Sequence, residues 1–194
     1  MVDSEARERV LKAAERLFIK QGYSAVKVRD IADEADIHQS SIYHHLPRNK
    51  GKEALYIEVM TRFLEKHRDE MNAAIQDAGD GLTQQLYAAS EWLLSQPPLD
   101  MARMVNVDFP SFEGDTEEFL KKLAYSAIME PVENALMDAQ QRGEVKNENL
   151  GLIAGALVAS IQAIHTLSVK QLCDQQEMAR QLVDIFIRGI EVRQ

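Results

Sequence analysis

Apolar residues recur along this chain at spacings of three and four, and no stretch alternates apolar with polar residues for long enough to predict a strand. The pattern predicts an all-α protein of about nine helices. The first runs from about Ser4, its expected N-cap, to Gln21, with Val10, Leu11, Ala14, Leu17 and Phe18 on one face and Gly22 as its stop. Two short helices follow, over Val28 to Ala35 and Gln39 to His45. A long fourth helix extends from Gly51 to about Ala78, where "AGDG" ends it, and a fifth from Leu82 to Ser95, stopped by Pro97-Pro98. A short segment over Leu99 to Val107 precedes Pro110. The helix from Thr116 to Arg142 contains Pro131, which removes a backbone donor and predicts a kink or break. The last two helices are expected over Asn149 to Gln171 and Gln175 to Arg193. The former, "LGLIAGALVASIQAIHTL", is apolar nearly all round and must be covered on more than one side. The latter keeps a stripe of Met178, Leu182, Ile185, Phe186 and Ile190.

One segment breaks the pattern. Gln39 to His45, "QSSIYHH", is helical in spacing but has almost nothing to bury. A helix-turn-helix explains it. That motif needs a small residue where its two helices cross, a tight turn, and apolar residues bracketing the turn. Ala32 is the small residue, Ile31, Ala35, Ile37 and Ile42 are the bracket, and Asp36 takes the turn. Gln39, Ser40, Tyr43 and His44 then face outward, where Gln pairs with adenine edges, Ser with bases or phosphates, and Tyr and His with phosphate oxygens.

Charge fits this division. The net charge is −9, but up to Tyr56 ten Lys and Arg stand against nine Asp and Glu, giving +1 and leaving −10 for the remainder. A lone cysteine, Cys173, excludes an internal disulfide or multi-cysteine zinc site and fits a reducing cytoplasm. No apolar run spans a bilayer, and the start of the chain lacks a signal peptide's apolar centre, so a cytoplasmic location without membrane contact is expected.

The stretch Val10 to Leu55, "VLKAAERLFIKQGYSAVKVRDIADEADIHQSSIYHHLPRNKGKEAL", resembles the DNA-binding domain of the TetR family of bacterial transcriptional regulators. The matching positions are Ala13-Ala14, Leu17-Phe18, Gly22-Tyr23, Arg29-Asp30-Ile31-Ala32, Ile42-Tyr43-His44-His45 and the Lys-Glu-x-Leu of "KEAL". The resemblance implies a three-helix DNA-binding domain over 1–50 and a helical effector-binding and dimerisation domain over 51–194. It implies that Arg29 reads a base from the second helix, that Gln39, Ser40 and Tyr43 are the principal contacts of the third, and that His44 and a lysine opening the fourth clamp phosphates. Lys50 and Lys52 both qualify for that clamp, with Lys52 favoured. Four positions depart from the family's pattern. Lys27 replaces a capping Ser or Thr and is offered as a phosphate contact, Asp36 replaces a turn glycine, Leu46 replaces a phenylalanine, and "PRNKGKEAL" is longer than usual.

The function expected is therefore a homodimeric regulator, a repressor of a palindromic operator, paired through its last two helices and released by a small apolar effector. Trp92, Met104, Phe109, Tyr125, Met129 and His165 are the candidate lining of an effector cavity, against the alternative that they are plain core. Gly151, Ala154, Gly155 and Ala159 signal close helix packing, between subunits or within one. No catalytic residues, cofactor or metal are expected. An all-helical metal enzyme is disfavoured because no Glu-x-x-His occurs, and a scaffold for a protein partner would differ in lacking salt-dependent retention on DNA.

Overall fold

In the computed structural model, which describes residues 2–45, 51–146, 149–167 and 174–190, every regular element is helical among the described residues. The chain forms two compact units, Met1–Glu65 with Asp100–Leu123, and Lys66–Leu99 with Ala124–Gln194. The expected domain boundary at 50/51 lies inside the first unit. Leu46, Lys50 and Cys173 lie outside the described residues.

The first unit is built on α1 (Val2–Gln21), α2 (Val28–Glu34) and α3 (Gln39–His45), which pack pairwise on one another. Val10, Leu11, Ala13, Ala14 and Phe18 of α1 meet Ile31, Ala32 and Ile42 in its core. Leu17 is half-buried instead. Helix α1 begins at Val2, so Ser4 lies within it rather than at its cap. The long α4 (Gly51–Asp77) enters this unit with Leu55, Tyr56, Val59 and Met60 fully buried.

The segment expected to be one short helix is α6 (Met101–Arg103), which loosens into a π-helical turn over Met104–Asp108 and then a 3₁₀ turn over Phe109–Ser111. Single π turns interrupt the i→i−4 ladder where a side chain has to be re-aimed. Here the side chain is Asp108, which is buried. The helix expected across Pro131 is two: α7 (Asp115–Ile128) and α8 (Glu130–Gln141), with Met129 as the N-cap and Pro131 in the first turn, where its missing donor costs nothing.

The second unit packs α5 (Leu82–Ser95), α8, α9 (Leu150–Leu167) and α10 (Gln175–Ile190) together. Leu86, Leu93, Leu136, Leu157, Val158, Ile161 and Val183 fill its core. The expectation that α9 needs cover on more than one side meets a helix covered on one: Ala154, Leu157, Val158, Ile161 and Ile164 are buried, while Leu152, Ala156, Ala159 and Ala163 are exposed. On α10, Ile185 is 64% exposed, and Met178, Leu182 and Phe186 are half-buried. A Cβ at Gly151 would approach Glu133 Oε1 at 3.1 Å, so that glycine serves packing within the unit, whereas one at Gly155 would meet nothing within 4 Å.

Candidate nucleic-acid interface

The turn between α2 and α3 forms because α2 can stop at Ala35. Asp36 takes φ +53°, in the left-handed region. Asp36 N–H then bonds Asp33 O at 3.3 Å, and Ile37 N–H bonds Ala32 O at 3.1 Å. This is the paired closure normally served by glycine, and Asp tolerates it better than most residues. At the start of α2 the Lys27 side chain makes no cap, being a donor only. Asp30 replaces it, its carboxylate accepting the Lys27 N–H at 2.9 Å.

Ile42 is the buried residue of α3, at 0% exposure. Ala32, also fully buried, lets α3 cross α2 closely. Gln39, Ser40, Tyr43 and His44 are exposed, Tyr43 at 63%. Lys27 and Arg29 are exposed beside them on α2. Six of the seven expected DNA-contacting residues are thus presented on the surface of one small helical unit. His38, not singled out from the sequence, immediately precedes α3 with its ring Nδ1 2.8 Å from Ser40 Oγ.

Lys52 differs. Its ammonium donates to Tyr23 O at 2.8 Å and Val26 O at 3.0 Å, and lies 4.0 Å from the centre of the Tyr23 ring. Partial burial lowers its pKa, opposed by the field of Asp108. Two of its three donors therefore tie the start of α4 to the turn after α1, leaving one for an anion.

That turn is also gripped from the segment Asp100–Phe112. Asp108 Oδ1 accepts the Tyr23 N–H at 2.9 Å. Arg103 donates to the carbonyls of Ile19 at 2.5 Å, Lys20 at 3.3 Å and Phe18 at 3.4 Å, among the last carbonyls of α1. Arg103 Nε and Asp108 Oδ2 pair at 3.4 Å. Around them Tyr23 meets Tyr56 edge-on at 5.1 Å and Phe112 at 4.7 Å, and Tyr56 stacks on Phe112 at 5.2 Å. Burial is the main cause raising the Tyr56 hydroxyl's pKa. The hydrogen bonds among these contacts join residues 83 to 85 apart in sequence, and no local pattern announces them.

The six candidate cavity residues divide between the units. Met104 and Phe109 are buried core of the first. In the second, Trp92 is half-buried and meets His67 edge-on at 5.0 Å, Met129 caps α8, and Tyr125 is 47% exposed with its hydroxyl bonded to Glu133. His165 lines a pocket with His67, Leu93, Pro97, Leu99 and Gln162, of about 10 Å³, room for one water. A larger open cleft of about 510 Å³ lies between Gly81–Gln84, Arg142–Val145, Ile187 and Ile190. No described helix is long and apolar enough to cross a membrane, and no cluster of three or more metal-ligating side chains occurs among the described residues.

Comparison with known proteins agrees with this geometry. The uncharacterized HTH-type transcriptional regulator YerO of Bacillus subtilis is 22% identical over 210 residues, a match covering 96% of this chain and 66% of that protein. The HTH-type transcriptional repressor KstR2 of Mycolicibacterium smegmatis is 42% identical over 59 residues, 30% of this chain and 27% of its own length. The matches thus take in less than two thirds of either relative. A protein from Saccharomonospora viridis solved in complex with choline has the same fold, with a TM-score of 0.72 at 24% identity, over 98% of this chain and 100% of that one. Residues 10–59, from Val10 of α1 through α2 and α3 to the start of α4, match the bacterial regulatory proteins of the tetR family.

Proposed function

We propose that this chain is a sequence-specific, DNA-binding transcriptional regulator that acts as a homodimer on a palindromic operator and is released from it by a small-molecule effector. The observation that carries the reading is α3, anchored from beneath by Ile42 while Gln39, Ser40, Tyr43 and His44 face solvent. Such a helix is poor protein core and suits a polar groove. In this reading Arg29 and Gln39 read bases, Tyr43 and His44 hold the backbone, and Lys27 and the remaining donor of Lys52 add phosphate contacts. Repression is supported by the repressor named among the relatives. An effector is supported by the choline-bound protein of like fold. The acidic remainder of the chain favours a neutral or cationic effector. Helix α4 runs from the α3 side of the chain into the second unit and is the element whose movement would separate the recognition helices.

Selection of bound sites from random duplexes should return a palindromic consensus. Gln39→Ala and Arg29→Ala should each cost about 1–3 kcal/mol at one operator position while leaving binding to random DNA nearly intact. The DNA-binding reading is abandoned if no sequence is enriched, or if folded Gln39→Ala binds the operator as tightly as wild type across a salt titration.

The uncovered faces of α9 and α10 support pairing through these helices, since a second copy about a two-fold axis would cover both. Among the described residues, Leu152 and Ile185 are exposed large residues there. Ile185→Asp should weaken self-association by roughly 2 kcal/mol, about thirtyfold, with the helical content kept. Leu157→Asp should unfold the second unit instead, because Leu157 is buried within it. Sedimentation across a concentration series separates the two outcomes, and a wild type that stays monomeric at micromolar concentration refutes the pairing.

A further inference from the structure

The start of α3 is capped by an imidazole. N-terminal caps are usually Ser, Thr, Asp or Asn, whose oxygens accept the free amides of the first turn. Here the residue before α3 is His38, its carbonyl accepting Ser41 N–H at 2.8 Å. Its ring Nδ1 lies 3.4 Å from the Ser40 amide nitrogen and 2.8 Å from Ser40 Oγ. An amide N–H only donates, so where Nδ1 accepts it the proton of the neutral ring sits on Nε2. In that tautomer the shorter contact is the Ser40 hydroxyl donating its single proton to Nδ1, the more distant amide sharing the same lone pair. What it shows outward is lone pairs.

We propose that His38 is a positioning residue that sets the hydrogen-bond polarity Ser40 presents to a base edge, acceptor when the imidazole is neutral and donor when it is protonated. The inference rests on the DNA-binding reading above and names a base preference within it. With neutral His38, Ser40 accepts from the amino groups of cytosine N4 or adenine N6. Protonated His38 has a proton on Nδ1 and donates it to Ser40 Oγ, so the hydroxyl proton is free for guanine O6 or N7 or thymine O4. Cytosine shows only a donor in the major groove and guanine only acceptors, so that pair reads the switch most cleanly. The charged groups nearest His38 along the chain are Asp36 in the turn and Asp33 and Glu34 at the end of α2, and Glu34 pairs with Arg16 of α1 at 2.9 Å. On α3 itself are Tyr43, His44 and His45. Protonation of His44 or His45 strengthens attraction to any duplex, so base preference, not affinity, is the diagnostic quantity.

The experiment is selection from random duplexes by the full-length protein at about pH 5.5 and about pH 8. In the wild type, the ratio of cytosine to guanine at one position of each half-site should fall roughly three- to tenfold at the lower pH, the worth of one neutral hydrogen bond. His38→Asn keeps a capping acceptor without a titrating ring, and should hold the cytosine preference at both pH values. His44→Gln, which removes a backbone contact and should weaken binding to every duplex, should still show the pH-dependent change in base ratio. A DNA-independent measurement, the ¹⁵N shifts of the His38 ring in the free protein, should show the Nε2–H tautomer at the higher pH, and the Nδ1–H tautomer there would overturn the assignment. A consensus identical at both pH values, or a shift that survives in His38→Asn, also overturns it while the DNA-binding reading stands. If no sequence is enriched at either pH, that reading fails and the role of His38 falls with it.

Discussion

Gly22→Ala is expected to destabilise the first unit by about 3 kcal/mol, from two separable causes. Gly22 has φ +83°, where an L-residue with a Cβ pays about 1–2 kcal/mol. The added Cβ would also stand 2.8 Å from Asp108 Oδ1, 3.1 Å from Arg103 Nε and 3.2 Å from Arg103 Cδ. Neither side chain is free to retreat, since Asp108 holds the Tyr23 N–H and Arg103 holds the end of α1. Forcing such a contact into a packed site costs about 1–3 kcal/mol more. Gly114→Ala is the control, at φ +58° in the same unit with nothing within 4 Å, and should show the backbone cost alone. Urea unfolding followed by circular dichroism gives the totals, and amide exchange in α1 to α3 locates the loss. Equal losses at Gly22 and Gly114 would mean that Asp108 and Arg103 do not constrain the turn.

The contrast between these glycines marks how far the sequence could be read. Local signals placed Gly22 as the stop of α1, the two prolines after α5, and the Asp36 turn, because each rests on the conformational limits of a few neighbouring residues. Helix α3 was legible for a related reason: a helical stretch with one apolar anchor is conspicuous against amphipathic neighbours. Lys27 was recognisable as a poor cap, and Asp30 three residues on as its replacement was within reach of the same reasoning. Long-range demands were not legible. The π turn at Met104–Asp108 has the composition of an ordinary helix, and its register follows from where Asp108 has to reach. Lys52 reads as a surface cation until the carbonyls of Tyr23 and Val26 are seen beneath it. Leu157 and Ile185 have similar patterns, yet one is core and the other exposed, which depends on which helices pack against α9 and α10.

Asp108→Ala should cost the first unit about 3 kcal/mol, and Asp108→Asn about 1 kcal/mol, because the carboxylate does two jobs that the substitutions divide. As an acceptor it satisfies the Tyr23 N–H at 2.9 Å, and Asn Oδ1 can do the same. As a charge it faces Arg103 Nε at 3.4 Å, with side-chain exposures of 3% for Asp108 and 21% for Arg103. That separation is long for a hydrogen bond, so the pair is chiefly electrostatic; Asn would set its NH2 group toward Arg103 Nε in place of the charge, while Arg103 stays bound to the α1 carbonyls. Alanine removes both and leaves a poorly solvated donor without its acceptor beside an uncompensated cation, the combination that makes breaking a buried pair expensive. The loss should appear as faster amide exchange in α1 to α3 and at Tyr23, with α9 and α10 unchanged. DNA affinity should fall in the same order, Ala more than Asn, because the turn held by Asp108 lies between α1 and the helix-turn-helix. If the two variants lose the same amount, the charge carries the interaction and the Tyr23 hydrogen bond is worth little. If neither loses more than about 0.5 kcal/mol, the segment Asp100–Phe112 does not brace the DNA-binding helices.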